Sequence, residues 1–189
     1  MDFLYLLEGL RNPVLDKIML TVTTLGEETV FLVLSLYLLW CVDKYYGYFM
    51  LSVGFIGTQL NQMLKVIFKI DRPWVRDPSF TIVEGSADMA AGYSFPSGHT
   101  ATAAPQFGGM AVTEGRKHKW LRFVCVLGIL LVGFSRNYLG VHTPQDVLVG
   151  LVAGTLVMWL TVKLMQWVKI HPEKDLLVVS IGIGLAAAV

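Results

Sequence analysis

The chain has 189 residues, of which 54% are hydrophobic and 15% are charged, and its mean hydropathy is +0.60. Soluble domains carry about 25% charged residues, so this composition argues against a water-soluble protein and indicates a membrane protein. The formal net charge of +1 provides no basic excess, and we therefore expect no nucleic-acid partner.

The first segment with helical periodicity is 13–20. Its apolar residues recur at helical spacing on either side of Asp16 and Lys17, and Gly26 downstream would end the helix. Such a pattern is typical of an amphipathic helix that lies in the membrane interface. We therefore predict an N-terminal interfacial helix ahead of the first span.

Six apolar runs follow the interfacial helix. A membrane-spanning helix needs about 20 mostly apolar residues. The runs cover residues 28–42, 45–69, 97–113, 120–137, 145–168 and 176–189, and the last is still apolar where the sequence ends. We predict an all-α fold, a polytopic transmembrane bundle of about six spans in one domain, 1–189, with an incomplete last segment.

The long polar segment 70–96 separates the second run from the third. Loops of this length are usually functional. Alternating spans place it on one side with the interfacial helix and the loop 138–145. Once the basic residues that are candidates for the functional site are set aside, basic residues are more numerous on the other side: Lys44, Arg116, Lys117, Lys119, Lys169 and Lys174, against Arg11, Lys17, Lys69 and Arg76. The positive-inside rule then makes that other side cytoplasmic and directs the functional loops outward, to the extracytoplasmic side.

The first candidate functional residues lie at the end of the second run. Lys65 stands inside an apolar helix, where a charge costs about 2.5–3.5 kcal/mol, so we expect it to face the bundle interior. Arg72 follows two helical turns later, and one helix face would carry both cations to a single anion. Snorkelling towards lipid headgroups is the alternative, which we prefer for Lys69.

Ser97, Gly98 and His99 open the third run, directly after Pro96. Ser97 is typical of a helix N-cap, so the N–H groups that follow it would be free to bind an anion, and Gly98 would let that anion approach the backbone. Capping alone would explain Ser97. His99 adds a side chain that can donate a proton near neutral pH, which favours phosphate chemistry at this corner.

The third group of candidates precedes and opens the fifth run. Thr143 as N-cap and Pro144 at the first helical position would place Asp146 where a carboxylate completes the cap. Asp146 would equally orient His142 and leave the other ring nitrogen as a nucleophile, and the two roles weigh about the same. Arg136 ends an apolar run and suits a bidentate phosphate contact.

These residues form three motifs. In chain order they are Lys65-x6-Arg72-Pro73, Pro96-Ser97-Gly98-His99 and Ser135-Arg136-x5-His142-x3-Asp146. They resemble the signature of the type 2 phosphatidic acid phosphatase superfamily, which includes membrane lipid phosphate phosphatases, bacterial phosphatidylglycerophosphate and undecaprenyl pyrophosphate phosphatases, and the vanadium haloperoxidases. Every motif position is matched at the family spacing, and the resemblance covers about residues 13–168.

The resemblance implies hydrolysis of a phosphomonoester or diphosphate on a lipid through a phosphohistidine intermediate, with release of inorganic phosphate. His142 would be the nucleophile, Asp146 would orient it, and His99 would protonate the leaving oxygen. The phosphate would be held by Lys65, Arg72, Ser97, Gly98 and Arg136. No metal and no cofactor are implied; the partners would be the bilayer and a lipid phosphate or polyprenyl diphosphate. The likeness favours a bacterial plasma membrane protein.

Two other functions fit parts of the pattern. A catalytically silent membrane protein could use the same pocket to bind a lipid headgroup, but binding requires cations and no pair of histidines. A vanadate-dependent haloperoxidase would share the motifs, yet those relatives are soluble and this chain has apolar runs of bilayer length. The absence of a third ligand at metal-site spacing near the histidines also disfavours metal-assisted hydrolysis.

Overall fold

Helices make up most of the described chain. The computed structural model describes residues 1–113, 118–171 and 174, and no strand occurs within these ranges. The all-α prediction is therefore confirmed. In chain order the helices are α1 (Asp2–Glu8), α2 (Pro13–Thr24), α3 (Glu28–Tyr37), α4 (Lys44–Phe68), α5 (Pro73–Arg76), α6 (Gly98–Thr113), α7 (Lys119–Tyr138) and α8 (Pro144–Ile170), and a π-helical turn, Leu38–Val42, follows α3.

Several helices begin where a polar side chain caps the backbone. The Asn12 side chain accepts a hydrogen bond from the backbone N–H of Leu15 at the start of α2, over 3.0 Å. Asp43 does the same for Tyr46 at the start of α4, over 2.7 Å. Such caps satisfy N–H groups that have no partner inside the helix. The predicted helix boundaries are therefore close to the observed ones.

Among the described helices, fewer than the six predicted spans are clearly long and apolar enough to cross a bilayer. Of the described helices, α7 and α8 are each long and apolar enough to cross a bilayer, and α2 with the segment 28–42 would count as a third, bent by 48°. The predicted spans 45–69 and 97–113 do form α4 and α6, but these helices do not combine the length and the hydropathy of a clear span. Six spans are thus not confirmed, and the run 176–189 lies outside the described residues.

The centre of the bundle is α6, which packs against α4, α7 and α8. Glycines of α8 allow the backbones to approach closely: a Cβ atom at Gly154 would lie 2.6 Å from the carbonyl oxygen of Ala101, and one at Gly150 would lie 2.6 Å from that of Ser97. Small residues at such contacts are typical of helix packing in membranes. This contact holds the start of α8 beside the start of α6.

The N-terminal helices and the long polar loop lie at this same end of the bundle. The Tyr5 hydroxyl donates to Asp77 over 2.8 Å, and Arg11 donates to the carbonyl oxygens of Thr81 and Tyr138. The Tyr138 hydroxyl in turn donates to Asp16 of α2 over 2.8 Å. The predicted interfacial segment forms α2, whereas α1 was not expected from the sequence.

Candidate active site

A cavity of about 220 Å³ lies at the end of the bundle where α6 and α8 begin. Six of the eight predicted site residues line it: Lys65, Arg72, Gly98, His99, Arg136 and His142. The other two, Ser97 and Asp146, are buried and lie behind the wall, next to residues that line it. The three sequence motifs therefore converge on one cavity.

The start of α8 positions His142. Thr143 accepts a hydrogen bond from the backbone N–H of Asp146, and the Asp146 carboxylate accepts one from the backbone N–H of Thr143, which confirms the predicted capping box. The same carboxylate oxygen lies 3.5 Å from Nδ1 of His142. Asp146 thus caps the helix and also faces the histidine, so its capping role leaves the orienting role geometrically open.

Arg72 identifies the protonated nitrogen of His142. Its Nη1 lies 2.8 Å from Nε2 of His142, and an arginine can only donate, so Nε2 accepts and the ring proton is on Nδ1, towards Asp146. Burial lowers the pKa of His142 well below its usual value, which keeps the ring neutral near pH 7. The Nε2 lone pair therefore accepts from Arg72, and both residues line the cavity.

Three cations of the cavity are held by backbone carbonyl groups of one segment, 89–93. Lys65 donates to Tyr93 over 2.7 Å, and Arg72 donates to Gly92 over 3.0 Å and to Ala91 over 2.8 Å. Arg136, which is fully buried, donates to Met89 over 3.1 Å and to the Thr23 hydroxyl over 2.8 Å. Neutral carbonyl groups fix the cations without cancelling their charge, so the cavity suits an anion.

The route by which Arg72 reaches the cavity differs from our prediction. We expected Lys65 and Arg72 on one face of a continuous helix, but α4 ends at Phe68 and Lys69 adopts a left-handed conformation with φ 47°. Arg72 precedes Pro73, which disfavours a helical conformation at that residue. The loop, and not helical periodicity, brings the two cations together, while Lys69 is exposed.

The start of α6 supplies His99. The helix begins at Gly98, as the N-cap position of Ser97 predicts, and the Ser97 hydroxyl lies 3.0 Å from that of Thr100. Nε2 of His99 is buried, lines the cavity and has no hydrogen-bond partner among the described residues. A buried polar atom of this kind is available to a ligand oxygen.

Further polar residues of the cavity were not expected from the sequence. Glu27, Glu28 and Thr29 at the start of α3 and Asn61 and Gln62 of α4 all line it. Asn61 lies one helical turn before Lys65, so a search of that helix face would have found it. No motif marks Glu27 and Glu28, because their position follows only from the packing of α3 against α6.

Ser94 is a second residue that sequence reasoning missed. Its hydroxyl is buried and donates to the Asp146 carboxylate over 2.6 Å. Hydrogen bonds to a charged group are stronger than those between neutral groups. Ser94 therefore fixes the carboxylate that faces His142.

Comparisons with known proteins agree with the convergence of these motifs. The family model of the PAP2 superfamily matches residues 44–170. The chain belongs to the PAP2 superfamily. This confirms the resemblance inferred from the three motifs, although the matched range begins later than residue 13.

Two PAP2 relatives and one solved structure illustrate the similarity. Undecaprenyl-diphosphatase BcrC of Bacillus subtilis is 30% identical over 152 residues, which cover 79% of this chain and 75% of that protein. Phosphatidylglycerophosphatase B of the same species is 31% identical over 163 residues, 80% of this chain and 75% of that protein. The crystal structure of Aquifex aeolicus LpxE superposes with a TM-score of 0.73 at 26% identity, covering 86% of this chain and 93% of LpxE.

The contact between Ser94 and Asp146 gives a test of this PAP2 site. Ser94→Ala removes a hydrogen bond to a carboxylate, typically worth about 1.5–3 kcal/mol, so we expect kcat for phosphate release to fall about tenfold with little change in KM. Ser86→Ala is the matched control, because Ser86 is also buried in the long loop but its hydroxyl donates to the Val83 carbonyl oxygen. Equal losses in both variants would contradict a positioning role for Ser94.

Proposed function

We propose that this PAP2 protein hydrolyses a phosphomonoester or diphosphate of a membrane lipid without a metal, through a phosphohistidine at His142. The main support is the His142 ring itself, whose Nδ1 faces a carboxylate, whose Nε2 accepts from Arg72, and which lines a cavity together with three cations. The names of two relatives, an undecaprenyl-diphosphatase and a phosphatidylglycerophosphatase, support a lipid substrate.

The first step forms the phosphoenzyme. The Nε2 lone pair of His142 attacks phosphorus, and the bond between phosphorus and the ester oxygen breaks. The electron pair stays on the leaving oxygen, which takes a proton from the His99 imidazolium. The ring of His142 then carries a positive charge, and the Asp146 carboxylate, 3.5 Å from Nδ1, stabilises it.

The second step restores the enzyme. Water attacks phosphorus while His99, now neutral, accepts one of its protons. The bond between phosphorus and Nε2 of His142 breaks, and its electron pair returns to the ring nitrogen. Inorganic phosphate leaves, with Lys65, Arg72 and Arg136 stabilising the charge on its oxygens in both transition states.

The orientation in the membrane belongs to the same proposal. When the three cations of the cavity are left out, the side opposite the cavity has more basic residues, at 44, 116, 117, 119, 169 and 174, than the cavity side. This bias favours a cytoplasmic position for that opposite side and an extracytoplasmic cavity. In a variant without Cys41 and Cys125, a single cysteine placed within 79–90 should react with an impermeant thiol reagent added to intact cells. A cysteine at position 117 should not react. The opposite labelling pattern would place the cavity on the cytoplasmic side.

The two histidines should differ in how strongly they depend on the leaving group. His142→Ala should abolish phosphate release from lipid and aryl phosphates alike, because every substrate requires the nucleophile. His99→Ala should lose much more activity on a lipid phosphate, since general acid catalysis is typically worth about 10²–10⁴-fold and p-nitrophenolate leaves without a proton. The measurement is kcat/KM for a lipid phosphate and p-nitrophenyl phosphate, with wild-type turnover of both as the control.

Two results would contradict these roles. Equal losses on both substrates in His99→Ala would indicate that His99 positions the phosphate and does not protonate the leaving oxygen. Substantial lipid turnover by His142→Ala would remove the nucleophile assignment. Lipid binding by His142→Ala should persist, because the three cations are unchanged.

Metal independence gives a separate test. We expect phosphate release to survive EDTA, because the proposed mechanism uses only side chains of this chain. Vanadate should inhibit, since a tetrahedral anion fits a site with three cations and approaches Nε2 of His142. Loss of activity in EDTA that a divalent cation restores would overturn the metal-free mechanism.

A further inference from the structure

The lining of the cavity includes residues of two chemical kinds. The cations are Lys65, Arg72 and Arg136. The acidic and amide or hydroxyl side chains, which we call the acceptor wall, are those of Glu27, Glu28, Thr29, Asn61 and Gln62. The cavity volume of about 220 Å³ is several times the ~30 Å³ that one water occupies in the liquid, so there is room for more than a phosphate.

Asn61 contributes a buried hydrogen-bond acceptor to the acceptor wall. Its side chain is only 5% exposed, and its Oδ1 has no hydrogen-bond partner among the described residues. The amide packs against the start of α6, since its Nδ2 would lie 3.2 Å from a Cβ atom at Gly98. A buried acceptor without a partner is costly, so a donor from a ligand would stabilise it.

Two carboxylates extend this wall to the rim of the cavity. Glu27 is half-buried at the N-cap of α3 but makes no side-chain capping hydrogen bond, and Glu28 is exposed. A Cβ atom at Gly26 would lie 2.9 Å from the carbonyl oxygen of His99, so only a glycine there lets this segment sit so close to His99. Within the described ranges, neither carboxylate forms an ion pair with the cations.

From these observations we infer the chemistry of the leaving group, an inference that rests on the proposed function. The substrate carries a hydrogen-bond donor, a hydroxyl or an ammonium group. This donor is on the carbon adjacent to the one that bears the phosphoester oxygen. The phosphate binds the cations, the ester oxygen lies near His99, and the donor faces Asn61, Glu27 and Glu28. These three residues are specificity residues of the site.

The acceptor wall disfavours the binding of a polyprenyl diphosphate. Its leaving group is a second phosphate, which is an anion without donors near neutral pH, and it would face the two carboxylates. Like charges brought together in a partly desolvated cavity repel, and the buried oxygen of Asn61 would keep no partner. Specificity here arises from a repulsive contact as well as from an attractive one.

The experiment compares kcat/KM for phosphate release from four substrates in the same detergent micelles. Phosphatidylglycerophosphate offers a hydroxyl and sphingosine phosphate an ammonium group beside the phosphoester, phosphatidate offers neither, and farnesyl diphosphate offers a second phosphate. The wild type should prefer the first two over farnesyl diphosphate by about tenfold or more, the ratio that one hydrogen bond to a charged group supports.

Variants then assign the preference to the acceptor wall. Glu27→Gln and Glu28→Gln each remove one charge and should raise kcat/KM for farnesyl diphosphate about threefold or more, while Asn61→Leu should lower it for phosphatidylglycerophosphate relative to phosphatidate. Glu84→Gln is the matched control, because Glu84 is an exposed carboxylate of the long loop that does not line the cavity. It should leave all four values unchanged.

The outcomes separate this inference from the proposed function. Phosphate release from none of the four substrates would overturn the proposed function. If the wild type releases phosphate but prefers farnesyl diphosphate or phosphatidate, the proposed phosphatase function stands and the inferred role of the acceptor wall is wrong. This comparison uses the wild type alone. Glu27→Gln and Glu28→Gln with the same substrate ratios as Glu84→Gln would also overturn it.

Discussion

The site depends on hydrogen bonds between three cations and the carbonyl groups of residues 89–93. Lys65, Arg72 and Arg136 come from different parts of the chain, and their like charges repel each other in a partly desolvated cavity. Carboxylate partners would hold them but would also neutralise them. Carbonyl dipoles hold the same side chains and leave the net charge for a phosphate, so the long loop is part of the anion site.

The helices give this arrangement its rigidity. Close packing at Gly150 and Gly154 of α8 fixes the start of α6, which carries His99, beside the start of α8, which carries Asp146. Because a Cβ atom at either glycine would overlap the backbone oxygen of Ser97 or Ala101, the spacing between the proposed acid and the proposed nucleophile is set by glycine. In the proposed mechanism the geometry of the two histidines comes from helix packing, whereas the phosphate is held by residues of loops and helix ends.

The sequence predicted which residues meet at the cavity better than how the chain brings them there. Helix caps and three motifs depend on residues close in sequence, so Thr143 as N-cap and the start of α6 at Gly98 followed directly. Arg72 did not, because Lys69 leaves the helical conformation and no local pattern predicts a left-handed residue that is not glycine. Glu27 was missed for a related reason, since its place in the cavity depends on the contact of Gly26 with another helix.

The contact between Arg72 and His142 links binding to catalysis. One N–H of Nη1 points at Nε2 over 2.8 Å, while Val141, Gly92 and Ala91 accept the other bonds of the guanidinium group. In the proposed mechanism an arriving phosphate oxygen replaces Nε2 as the acceptor of that single bond, and Arg72 keeps its position through the other three bonds. The exchange frees the lone pair of the proposed nucleophile when an anion is present. In the proposed mechanism the same N–H then faces the charge that develops on the phosphoryl oxygens, so the group that fixes the tautomer of His142 also stabilises the transition state.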